Sequence, residues 1–157
     1  MRTVKRVEAA FWDASAVVPL CIWQAPSAVI RRIVRTYGRM VVWWGTPIEV
    51  RSALARLVRA GELSGEGKVA AQRRLERLQG TWGEILPTER VRTLAQTLPD
   101  AYGLTAPDSM QLAAALVWCG ERPRGRPFVV LDARLASAAG QAGFAVVGIA
   151  GASDRRS

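Results

Sequence analysis

The sequence contains no histidine, only two cysteines and no long apolar run. Without imidazole there is no Ser-His-Asp triad, no Cys-His pair and no histidine-ligated metal. Any chemistry must rest on carboxylates, hydroxyls, thiols or cations. Cys21 and Cys119 lie far apart in apolar surroundings. They read as buried free thiols rather than a disulfide, which fits a reducing, cytoplasmic setting. The longest apolar stretch, Ala16 to Trp23, falls well short of the ~20 residues a membrane-spanning helix needs. No apolar segment of signal-peptide length follows the basic start, so no membrane partner is expected. Internal repeats and low-complexity segments are also missing. No Gly-x-Gly-x-x-Gly follows the first apolar run, against a dinucleotide binder. Phospho-acceptor domains need paired acids after the first strand and a late lysine; here Trp12 precedes Asp13 and no lysine follows Lys68.

What is present is one domain's worth of ordinary globular sequence: 157 residues, 50% of them hydrophobic. Such a chain buries roughly 70% of the surface it exposes unfolded. It is expected to form a single domain over 1–157, with a core at about 9–149, a short basic lead and a mobile tail from 150. Lysine and arginine number 22 against 13 acids, a formal charge of +9. Nearly all the cations are arginine, the side chain suited to bidentate phosphate contacts. This excess points to a polyanionic partner; a solvated, arginine-rich surface is the alternative.

Short apolar runs alternate with helical periodicity. Ala9 to Trp12, Met40 to Trp44, Phe128 to Leu131 and Phe144 to Ile149 read as buried strands, with a further short strand at Ile85-Leu86. Helices are predicted over Ser15 to Trp23, Ala28 to Tyr37 (capped by Ser27), Thr46 to Gly61 and Ser64 to Gln79. Thr88 to Thr97, the segment from Leu104 to Cys119, and Leu135 to Ala142 complete the set. Strands apolar throughout are buried on both faces, so the sheet should be parallel and covered by helices on both sides.

Four acids have a shared location in this scheme. Asp13 and Asp132 each follow an apolar strand, and carboxyl ends of parallel strands line the ligand crevice. Glu49 and Asp108 begin helices that start at the same sheet edge. Each also has a structural explanation: an Asp after a strand caps the next helix, and Thr46-Pro47-Ile48-Glu49 and Thr105-Ala106-Pro107-Asp108 read as capping boxes with proline in the first turn. Four carboxylates in one crevice repel unless a cation intervenes, and Mg²⁺ or Mn²⁺ is the hard, oxygen-seeking choice.

Four segments carry a resemblance in this order: Phe-Trp-Asp-Ala-Ser-Ala-Val-Val-Pro-Leu, Thr-Pro-Ile-Glu-Val-Arg-Ser-Ala-Leu-Ala-Arg, Leu-Thr-Ala-Pro-Asp-Ser-Met-Gln-Leu-Ala-Ala-Ala-Leu and Phe-Val-Val-Leu-Asp-Ala-Arg-Leu-Ala-Ser-Ala-Ala. Over about residues 9–149 the chain resembles the PIN-domain ribonucleases, most closely the VapC-type toxins of toxin–antitoxin pairs. The resemblance implies an α/β, PIN-like three-layer sandwich with about four or five short parallel strands. It also implies a Mg²⁺- or Mn²⁺-dependent endoribonuclease. The metal-binding, catalytic acids fall on Asp13, Glu49, Asp108 and Asp132, with Asp13 and Asp108 as the main inner ligands. Ser15 is the supporting hydroxyl, donating to a ligand or to phosphate. Arg56, nearly on the face of Glu49, and Arg134 are the candidate RNA-phosphate contacts, while Arg51 points away. An antitoxin partner and a homodimer are further implications, with Trp43 or Trp44 contributing to an interface. Two departures stand out: Gln24 replaces an acid, and Val130 replaces Ser or Thr two residues before the last acid. The competing expectation keeps the fold but drops the catalysis, leaving a module that only binds RNA or protein.

Overall fold

The computed structural model describes residues 6–149; the expected mobile tail lies outside them. Five short strands, β1 (Ala9–Trp12), β2 (Arg39–Trp43), β3 (Gly83–Ile85), β4 (Pro127–Val129) and β5 (Ala145–Val147), form one parallel sheet in the order β3-β2-β1-β4-β5. Register is set by pairs such as Ala10 with Met40 and Phe11 with Phe128. The strand order reverses at β1, so the crevice of an open parallel sheet falls at the carboxyl ends of β1 and its neighbours.

Side chains alternate across β1. Ala10 and Trp12 join Val17, Ile30, Val42, Leu54 and Leu75 on one face. Phe11 joins Leu112, Phe128, Leu135 and Phe144 on the other. Helices α1 (Ala14–Cys21), α2 (Ser27–Tyr37), α3 (Thr46–Arg59) and α4 (Gly65–Gln79) cover the first face. Helices α5 (Glu89–Ala95), α6 (Leu98–Tyr102), α7 (Ala106–Trp118) and α8 (Ala133–Ala142) cover the second. This is the expected three-layer arrangement. Phe11 and Phe128 rings lie 5.2 Å apart, and Phe128 and Phe144 5.3 Å, a geometry that aromatic pairs favour.

Several local expectations are corrected. The last three strands are each three residues long: β4 and β5 are shorter than their apolar runs, and β3 begins two residues before the expected Ile85-Leu86 and leaves Leu86 out. Ser27 does not cap α2 from outside. It is the helix's first residue, and its buried hydroxyl accepts from the Gln24 amide and donates to the Pro19 carbonyl, tying α2 to the end of α1. In α4 the apolar Val69 is exposed, whereas Ala71 and Leu75 are buried. Of the two tryptophans expected to contribute to an interface, Trp43 is 6% exposed and in the core, and Trp44 is 48% exposed. Cys21 and Cys119 are free and buried, as expected. No described helix is long and apolar enough to cross a membrane.

Candidate active site

At the carboxyl edge of the sheet a cleft of about 350 Å³ is lined by Asp13, Ser15, Glu49, Arg56, Asp108 and Asp132, with Ser52 and Pro107 completing the wall. All four sequence-identified acids therefore meet there. They arrive from four elements: Asp13 from the end of β1, Glu49 from the first turn of α3, Asp108 from the first turn of α7, and Asp132 from the loop after β4.

Capping and cleft lining coexist. Asp13 Oδ2 accepts from the Ser15 amide at 3.0 Å, and Asp132 Oδ1 from the Leu135 amide at 2.8 Å. Each aspartate thus caps its helix and is pinned by doing so. Thr105 caps α7 by accepting from the Asp108 amide. The Thr46–Glu49 capping box is not formed, because Thr46 lies inside α3 and Gly45 caps it without a side-chain bond. Glu49 is instead held from across the cleft floor. Gln111 Nε2 donates to Glu49 Oε2 at 2.6 Å and to Thr46 Oγ1 at 3.1 Å. Gln111 is fully buried. Sequence reading missed it, although it lies three residues after Asp108, on the same face of an otherwise apolar helix.

Ser15 makes contacts beyond the one expected of it. Its Oγ accepts from the amides of Leu131 at 2.9 Å and Asp132 at 3.2 Å. The Ser15 amide and side chain favour the ionised form of the Asp13 carboxyl. Ser15 bridges α1 and the loop that carries Asp132, and it also lines the cleft. Arg56 lines the cleft, while Arg51 pairs with Glu76 at 3.4 Å. Arg134 is not among the lining residues, but its positive charge acts on Asp108. Val130 is buried in the core, and its amide donates to Val147.

The electrostatics are those of carboxylates held in too little water. Burial raises Asp13 to about 6, opposed by the bonds from Ser15 and assisted by the charge of Asp108. Burial raises Glu49 to about 7, opposed by Gln111 and assisted by Asp13 and Asp108. Asp108 is also raised, by burial and then by Asp132. Such mutual repulsion is what a cation relieves. The donor set is all oxygen, which fits a hard divalent ion and no soft one. Among the described residues no three acidic or thiol side chains are set to enclose an ion by themselves.

No family model and no curated protein matches the sequence. Solved structures do match the fold. PAE2754 from Pyrobaculum aerophilum superposes with a TM-score of 0.62 at 19% identity, covering 91% of this chain and 92% of that one. FitAcB from Neisseria gonorrhoeae gives 0.58 at 18% identity, covering 87% and 95%. A toxin-antitoxin complex from Klebsiella pneumoniae gives 0.55 at 13% identity, covering 79% and 87%. With the five-stranded parallel sheet between two helical layers, these similarities establish a PIN-like fold.

Proposed function

We propose that the protein is a Mg²⁺- or Mn²⁺-dependent endoribonuclease that acts as the toxin of a toxin–antitoxin pair. The observation that carries this reading is the convergence of Asp13, Glu49, Asp108 and Asp132 on one cleft of a chain with a formal charge of +9. The fold shared with a toxin-antitoxin complex supports the biological role.

Asp13 and Asp108 would hold the ion, and Glu49 and Asp132 would reach it directly or through water. When bound, such an ion polarises a phosphoryl oxygen and lowers the pKa of an attacking water. The protein's own contribution is positional. Gln111 fixes Glu49, Ser15 fixes both Asp13 and the Asp132 loop, and Arg56 offers charge to the phosphate at the cleft's rim. Because activated water supplies the nucleophile, the missing histidines leave no gap in the chemistry. A cognate antitoxin would cover this cleft, and in a homodimer Trp44 would be the ring available to a second copy, since Trp43 is buried.

Cleavage of a panel of RNAs by the purified protein in Mg²⁺ or Mn²⁺ tests the reading. Asp13→Asn should abolish cleavage and keep the circular-dichroism spectrum of the native fold. Wild-type cleavage by that variant, with contaminating nuclease excluded, would sink it.

A further inference from the structure

The carboxylate cleft does not end at Arg56. A second hollow continues from it along the seam between α1 and α3, sharing Val18, Ala53 and Arg56 with the cleft and extending to Gln24 and Leu57. A third shares Gln24, Leu57 and Glu62 and ends between Trp23 and Arg74. Adjoining hollows with shared walls thus lead from the acids to an aromatic side chain. From Glu49 to Leu57 they follow α3 for about 12 Å at 1.5 Å per residue.

Trp23 at the far end is 67% exposed, the most exposed of the large apolar side chains among the described residues. The Arg31 guanidinium lies over its ring, 5.1 Å from the centroid. Arg74 is anchored beside it, donating from Nη1 to the Cys21 carbonyl at 2.8 Å. Arg31, Arg56 and Arg74 have no ion-pair partner among the described residues. Glu62 is the acid on this stretch of wall. Two unpaired cations, Arg56 and Arg74, therefore share the groove wall with one carboxylate, Glu62, and Arg31 backs the indole at the groove's end.

We infer that this groove is a track for single-stranded RNA, with Trp23 stacking a base that flanks the cleaved bond. The inference rests on the ribonuclease reading of the acidic cleft and adds a determinant of substrate position to it. Cations that follow a strand together with an aromatic platform are the recurring means of holding single-stranded nucleic acid. A polypeptide would gain less from unpaired arginines beside an exposed ring than a polyanion with planar groups does.

The test compares wild type, Trp23→Ala and Trp23→Phe on one single-stranded oligoribonucleotide in Mg²⁺ or Mn²⁺, by binding and by cleavage. Loss of one base–aromatic stack predicts roughly tenfold weaker binding and a correspondingly higher KM for Trp23→Ala. The kcat should stay within about twofold, and Trp23→Phe should recover most of the loss, because phenylalanine retains a stacking face. Since Trp23 is largely exposed, thermal melting should be unchanged. If wild type cleaves and Trp23→Ala binds and cleaves equally well, the track is overturned while the ribonuclease reading stands. If wild type neither binds nor cleaves RNA, both fall. If Trp23→Ala treats RNA as wild type does but loses a bound protein segment, the groove is a peptide site and the inference is wrong.

Discussion

Asp13 and Glu49 carry protons in the fold that they would release in the unfolded chain. Their values move from 3.8 to about 6 and from 4.5 to about 7. For an acid raised on folding, the native state holds more protons than the unfolded state between those values, so stability falls as pH rises through that window. Metal-free protein should therefore melt at a higher temperature near pH 5 than near pH 8. Glu49→Gln should flatten that slope, and Mg²⁺ or Mn²⁺ should stabilise at pH 8 far more than at pH 5. Differential scanning fluorimetry across pH, with and without chelator, checks all three. The acids themselves were legible from residue type and position after strands. Gln111 was not, because a glutamine among alanines and leucines has no chemical signature until Glu49 is placed against it.

Between elements, Ser15 is the most informative link. It begins in α1 and accepts two backbone amides from the loop after β4. Ser15→Ala would leave the Leu131 and Asp132 amides without that partner, at a cost of about 1–3 kcal/mol. It would also free Asp132 to drift from the cleft. Cleavage should fall about tenfold or more, with a lowered Tm; undiminished activity would show that Asp132 is held by its own capping bond alone. The helices and strands followed from local periodicity, except α6 (Leu98–Tyr102), which at five residues is too short to show a period. Two misread start signals have a common cause. Ser27 and Thr46 resemble capping residues in sequence, yet each spends its hydroxyl on a partner eight or more residues away, which no local pattern reveals.

For the molecule as a whole, the charge of +9 coexists with a cleft of four acids. On the proposed reading the two are separable: the acids would hold a cation, and the arginines would bind the polyanion around it. Phosphate contacts release counterions, so RNA binding should weaken about twentyfold between roughly 50 and 200 mM salt if about three phosphates are neutralised. A flat dependence in filter-binding titrations would remove nucleic acid as the substrate class. The α/β class and the parallel sheet were readable, because strands buried on both faces leave continuous apolar runs. So were the four acids, because topology alone assigns strand ends to one edge of such a sheet. Only the tertiary structure decided how those acids are held, which tryptophan is buried, and that adjoining hollows lead from the cleft to Trp23. Each of these depends on contacts between residues distant in the chain, where the identity of one side chain says nothing about the other until the fold brings them together.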